Sequence, residues 1–222
     1  MFQNRLSDTG EENDNVISFF AGDFLDNNGE LDESNLKDTL PILPLRNTIV
    51  FPGSGLPISV GREKSLKLIN SLNKEEKYIG LVCQRDSNIE NPTADDLYKV
   101  GVIAEIIRVI QIDEDNTSVI VQARSRFEIT KMTQTEPFFE ANYKLLDFTK
   151  AEKDDKEFLA VLDSIRDTMN EALHLMGNPP KELLKTINHD SFTNMLVSYA
   201  STNLPIDNKE KQELLEINDD KE

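Results

Sequence analysis

Tryptophan is absent from this chain of 222 residues, cysteine occurs once and histidine twice. The lone cysteine, Cys83, excludes an internal disulfide. It suits a reducing compartment, so the expected location is the cytoplasm. It closes the apolar run Tyr78–Cys83 and reads as a buried strand residue rather than a nucleophile. The two histidines, His174 and His189, lie apart, and with one cysteine and no H-x-x-x-H spacing no zinc site is expected. No apolar run reaches the roughly 18 residues that span a bilayer. The N-terminus lacks the basic start and apolar core of a secretory signal, and it is too acidic for an organelle transit peptide.

Basic residues are scarce as well. Lys and Arg number 24 against 41 Asp and Glu, for a net charge of −17. Residues 1–40 hold ten acids and two bases, residues 41–149 fifteen and thirteen, and residues 150–222 sixteen and nine. A near-neutral middle between acidic flanks cannot neutralise phosphate backbones, so neither a nucleic-acid nor an anionic-membrane partner is expected. The phosphate-loop spacing G-x-x-x-x-G-K-[ST] is missing. Gly53-Ser54-Gly55 is followed by Leu56 and Pro57, which is not the G-x-S-x-G elbow of a hydrolase. Asp113, Glu114 and Asp115 read as a solvated hairpin turn. No catalytic, cofactor-binding or metal-ligating residue is therefore expected.

What is present is a change of period. Residues 1–39 are rich in Asp, Glu, Asn and Gly and read as an acidic, disordered extension. An apolar island at Val16, Ile17, Phe19, Phe20, Phe24 and Leu25 is its one departure. Residues 40–150 read as β-rich. Leu40–Pro57 (LPILPLRNTIVFPGSGLP) is apolar but carries Pro41, Pro44, Pro52 and Pro57. A central strand does not accommodate that many missing donors, so short extended pieces joined by fixed turns, at sheet edges or barrel rims, are expected. Gly101–Ile112 and Ser118–Ala123 form a hairpin, apolar on both faces near the middle of its first strand. Arg126–Met132 and Phe138–Phe148 alternate as further strands. One helix falls within Arg62–Leu72, with Leu66, Ile69 and Leu72 as its stripe. Together these describe a small, partly closed barrel with one helix.

Residues 151–222 turn helical. Phe158, Val161, Leu162, Ile165, Met169, Leu173 and Met176 mark a long amphipathic helix, ended by Gly177-Asn178-Pro179-Pro180. Shorter helices follow around Leu183, Leu184 and Ile187, and around Phe192–Tyr199 after Asp190. A last one starts at a capping box of Asp207 and Glu210. The class is α+β: a β-rich pseudo-barrel with one helix, then an α-helical bundle subdomain. Exposed apolar side chains are the remaining candidates for function. Phe51, Leu56 and Ile58, in the proline-broken segment, are taken as substrate- or partner-binding residues, with Met169 or Met176 where the helical stripe is open.

The motifs LPILPLRNTIVFPGSGLPISVGREKSLKLI (Leu40–Ile69), YIGLVCQRD (Tyr78–Asp86), DLYKVGVIAEIIRVIQIDEDNTSVIVQARSRFEI (Asp96–Ile129) and LPIDNKEKQELLEIND (Leu204–Asp220) occur in an order that resembles the N-terminal domain of the Lon ATP-dependent proteases. The resemblance covers residues 40–222. It implies a PUA-like β subdomain followed by a helical bundle, placed ahead of an AAA+ ATPase module and a protease domain with a Ser–Lys dyad. ATP and Mg would belong to those missing parts, and the chain is expected to be a non-catalytic fragment ending within a helix. The resemblance further implies that unfolded or damaged proteins are the partners and that self-association occurs through a full-length hexamer. Two other readings are open: a stand-alone adaptor that binds a protein partner or small ligand through a LON-like barrel, and RNA binding by analogy with PUA-like folds. The charge distribution disfavours the second.

Overall fold

A computed structural model describes residues 31–72, 77–113, 116–152, 154–175, 184, 187–189 and 193–219. The expectations for the apolar island, the Gly177–Pro180 helix stop, Met176 and the Asp190 cap lie outside these residues.

Six strands form one mixed sheet: β1 (Thr39–Leu45), β2 (Gly55–Val60), β3 (Tyr78–Cys83), β4 (Val100–Gln111), β5 (Thr117–Gln134) and β6 (Phe139–Leu145). Their order is β2-β5-β4-β3-β1-β6, and β5 also pairs with β6. The pairings β5–β4–β3–β1–β6–β5 therefore close a ring, with β2 added on the first half of β5. Among the described strand pairings, β1 with β3 is the parallel one and the rest are antiparallel. The observed class is α+β.

Two sequence expectations change here. The proline-bearing strand β1 is not at an edge but lies between β3 and β6. Its neighbours are staggered: β6 pairs with Thr39–Ile42 and β3 with Ile42–Leu45. Pro41 and Pro44 each face one partner only, so the missing N–H of each costs no second ladder. The segments 118–123 and 126–132 are also one continuous strand of 18 residues, β5. Its first half serves β2 and its second half β6.

Helix α1 (Glu63–Ser71) buries Ser65, Leu68 and Ile69. Leu68, fully buried, was not part of the expected stripe. The larger core gathers Leu43, Ile49, Val50, Phe51, Ile58, Leu68, Ile79, Val102 and Val119. A second cluster around Leu40, Ile42, Ile103, Phe127 and Phe139 fills the other side of the ring. Phe127 meets Tyr143 edge-on, with ring centroids 5.9 Å apart.

The chain divides into two compact units, one of Glu30–Lys153 with Ser201–Glu222 and one holding Asp154–Ala200. In the second, α2 (Lys156–Leu175) is amphipathic, and its Leu162 packs with Ile187 and with Leu196 of α3 (Thr193–Asn203). The last helix, α4 (Asn208–Glu216), was expected in the helical subdomain but groups with the sheet. Gln212 Nε2 donates to the Val100 carbonyl at 3.1 Å, and Leu215 joins the larger core. The expected ending within a helix falls on Lys221 and Glu222, outside the described residues. α4 stops at Glu216, Ile217 is its C-cap, and Asp219 bridges to Thr149.

Candidate functional site

The proline-broken segment does not leave its apolar side chains outside. Phe51 is 5 % exposed and Ile58 9 %. β2 pairs with β5 along its full length, placing Leu56 beside Val121, Ile58 beside Val119 and Val60 beside Thr117. Pro57 is tolerated because an edge strand needs donors on one side only. Alternation then turns Leu56, Ile58 and Val60 inward and leaves Pro57 and Ser59 out. Phe51 is anchored by the turn after it: Ser54 N–H donates to the Phe51 carbonyl at 3.2 Å, and Gly53 N–H to Ala123 at 2.9 Å. Gly53 has φ of 83°, a conformation that favours glycine. The expectation that Phe51 and Ile58 stand exposed is thus overturned, because pairing with β5 buries them. Leu56 is half-buried against the same core. Met169 is half-buried against Leu162, Ile187 and Leu196.

Leu56 and Ile58 also line a cleft of about 350 Å³ between the end of β1, β2 and the start of α1. Arg46 and Arg62 are part of its wall. Arg46 Nε donates to the Ser87 carbonyl at 2.8 Å, and Arg62 Nη2 to Gln84 Oε1 at 2.7 Å. Gln84 is itself buried and held by its donations to the Asp86 and Ile89 carbonyls. Burial, and then the charge of Arg46, lower the Arg62 pKa from the usual guanidinium value. Among the described residues, neither Ser59 nor Ser65 of this wall is hydrogen-bonded to a histidine, lysine or carboxylate, so the cleft has no activated nucleophile.

Besides single exposed side chains such as Phe148, Val161 and Leu175, one run of exposed apolar residues lies on the outer half of β4 and just past its end. Ile107, Val109, Ile110 and Ile112 are 48 %, 49 %, 41 % and 64 % exposed. β4 is 12 residues long, but β3 accompanies it only as far as Glu105, opposite Tyr78. The Ile106 N–H donates to the Lys77 carbonyl at 2.7 Å. Beyond that point no described strand flanks β4 on this side. Between Ile106 and Arg108 the register with β5 shifts, leaving Ile107 as the extra residue of a bulge. Val109 stands opposite the fully buried Val119 yet is itself half open, because the core ends at the strand on which it sits. The sequence signal for this patch was the run Ile106–Ile112, apolar on both faces with Arg108 as its one charge. A strand of that kind is either covered twice or open twice, and periodicity alone does not decide between them.

Among the described residues, no three His, Cys, Asp or Glu side chains gather as metal ligands. Burial pushes the Cys83 thiol above its usual pKa, which keeps it protonated and unreactive. No described helix is long and apolar enough to cross a membrane.

Residues 39–222 match the family model of the ATP-dependent protease La (LON) substrate-binding domain. The chain is 40 % identical over 185 residues to the Lon protease of Parabacteroides distasonis, covering 83 % of this chain and 22 % of that protein. It is 43 % identical over 194 residues to the Lon protease of Porphyromonas gingivalis, covering 86 % of this chain and 23 % of that protein. The chain thus spans less than a quarter of the length of these curated relatives. Among solved structures, it is similar to the N-terminal domain of the Lon protease of the Mycobacterium avium complex. There the TM-score is 0.61 at 19 % identity, with 82 % of this chain and 92 % of that chain covered. A Lon N-terminal domain protein from Xanthomonas campestris gives a TM-score of 0.54 at 11 % identity, again covering 82 % and 92 %.

Proposed function

The chain belongs to the family of ATP-dependent protease La (LON) substrate-binding domains, and from that premise we infer that residues 39–222 are the substrate-recognition and assembly domain of a Lon-type protease. In this reading the ring of strands is the family's PUA-like barrel and residues 154–200 its helical bundle. Hydrolysis of ATP with Mg, peptide cleavage by a Ser–Lys dyad and hexamer formation are functions of the longer protein. This domain supplies the first contact with unfolded or damaged proteins in the cytoplasm. Nucleic acid and membrane are not partners, in keeping with the net charge of −17.

The observation that carries this reading is the set of open apolar side chains Ile107, Val109 and Ile110 on β4 and Ile112 just past its end. Exposed apolar area of this kind marks interaction sites. Weak, tolerant contacts suit a partner defined by being unfolded rather than by its sequence.

The test uses the 222-residue chain and a reduced, alkylated protein that cannot fold, compared with the native form of the same protein. Fluorescence anisotropy is expected to show binding of the unfolded form and none of the native form. Equal affinity for the two forms, or no binding of either, overturns the assignment.

A further inference from the structure

The outer half of β4 exposes its backbone as well as its side chains. Across the hairpin turn, Ile112 donates its N–H to the Asn116 carbonyl at 3.0 Å. Backbone groups alternate along an antiparallel strand, so Ile110 and Arg108 also face β5. The N–H and C=O of Val109 and Gln111 then point away from the sheet. Among the described residues no strand pairs with them.

Open edges in folded proteins are usually guarded by Lys, Pro or a short strand. This one has Arg108 as its only charge between Ile106 and Ile112, and Arg108 lies in the register that faces β5. Pairing with β3 ends at Glu105, opposite Tyr78, and the Ile107 bulge in the β5 register follows directly. An added strand here would gain main-chain hydrogen bonds to Val109 and Gln111. Its own side chains would cover Val109 on the inner face and Ile110 on the outer.

Charge selects among occupants. A second copy of this chain brings another −17, and self-repulsion opposes pairing edge to edge. The hairpin tip carries the exposed Asp113, followed in sequence by Glu114 and Asp115. A strand laid along the edge would bring one of its ends to that acidic tip, where Lys or Arg is favoured.

We propose that the β4 edge from Ile107 to Gln111 takes an extended apolar segment of an unfolded polypeptide, with a basic residue at the end nearest Asp113, as an added β-strand. The proposal rests on the substrate-recognition reading above and specifies how that substrate is held. Main-chain pairing gives affinity without reading sequence, and the alternate side-chain positions set a mild apolar preference. Folded proteins rarely offer such a segment, since most of their strands are paired and their open edges are guarded.

Residue-resolved amide hydrogen exchange on the 222-residue chain tests this, with a short peptide alternating valine and threonine and carrying a lysine at each end. On peptide binding, exchange at Val109 and Gln111 is expected to slow by roughly tenfold or more, as new hydrogen bonds form there. Arg108 and Ile110, already paired with β5, are expected to change less. Val109→Pro removes one outward donor without touching the β5 ladder, and a roughly fivefold loss of peptide affinity is expected from one hydrogen bond. Ile107→Lys is expected to weaken binding of the unfolded protein as well. If the peptide and the unfolded protein bind while exchange at Val109 and Gln111 is unchanged, strand addition is overturned and substrate recognition stands. If neither ligand binds, both fall. Protection that rises with protein concentration in the absence of peptide identifies a second copy as the occupant and also overturns the proposal.

Discussion

Arg126 of β5 donates from Nη1 to the backbone oxygen of Leu215 at 2.9 Å, which ties the sheet to the last turn of α4. The same nitrogen reaches the Ile217 carbonyl. Nη2 donates to Asp147 at 3.2 Å, and the guanidinium lies 4.8 Å from the centre of the Phe148 ring. The side chain is 6 % exposed, and its acceptors here are carbonyls rather than a carboxylate. Burial lowers its pKa from the usual guanidinium value. The negative end of the α4 dipole offsets that desolvation.

Arg126→Met is therefore expected to destabilise the chain by about 2–4 kcal/mol, since it strips charged donors from several buried carbonyls. Arg126→Lys restores only part of this, because an ammonium cannot present a planar fork to separate acceptors. Urea denaturation measures both. A loss under about 0.5 kcal/mol for Arg126→Met, the size of an ordinary surface change, contradicts the role.

Two glycines in neighbouring strands differ in what would meet a methyl group. At Gly101 an added Cβ meets the Leu81 carbonyl oxygen and lies 2.7 Å from Val82 Cγ2. At Gly80 it meets only side-chain atoms, Ile42 Cδ1 and Phe127 Cζ at 2.7 Å and Leu40 Cδ2 at 2.9 Å. Side-chain ends shift more readily than a paired backbone. Gly101→Ala is expected to cost more than Gly80→Ala, which falls in the overpacking range of about 1–3 kcal/mol. Thermal unfolding of the two variants gives the order, and the reverse order rejects the argument.

Alkaline pH should weaken the fold. Burial raises the pKa of Cys83, and likewise of Tyr78, Tyr98, Tyr143 and Tyr199. The folded state then holds these protons after the unfolded state has begun to lose them. Their contribution is complete below the unfolded values and declines as pH rises from about 8.5 for the thiol and about 10 for the phenols. Cys83→Val removes the thiol share. Its urea midpoint is expected to change less between pH 8 and pH 9.5 (roughly the thiol range) than that of the parent chain, and an unchanged slope counts against it.

Local chemistry was legible in the sequence, and tertiary partnership was not. The capping box at α4 is an example of the first: Glu210 N–H donates to Asp207 Oδ1 at 2.9 Å, and Asp207 N–H to Glu210 Oε2 at 3.1 Å. Arg124 illustrates the second. With Ser125 it read as a break between two strands, yet β5 runs through it. Its guanidinium is taken up by Glu105 on the adjacent strand, at 2.6 Å and 3.2 Å. Leu215 likewise marks an apolar stripe on α4 but does not say which layer the stripe meets. The patch on β4 was visible as a run apolar on both faces. Its exposure depends on where β3 stops, which the run itself does not encode.

A polar residue at Phe51 would probe client binding only if that side chain were exposed, and it is buried. Its burial changes what the experiment reads. Phe51→Ser removes a large core side chain and is expected to cost about 3–5 kcal/mol. Any loss of unfolded-client binding should then follow the fraction of protein that has unfolded. Ile107→Ser, at a position 48 % exposed, is expected to stay within about 0.5 kcal/mol of the parent and to lose client affinity while fully folded. Urea midpoints and client anisotropy measured on the same samples separate the two cases. A Phe51→Ser chain that keeps its midpoint and still loses the client would return Phe51 to the binding surface and exclude the buried position described above.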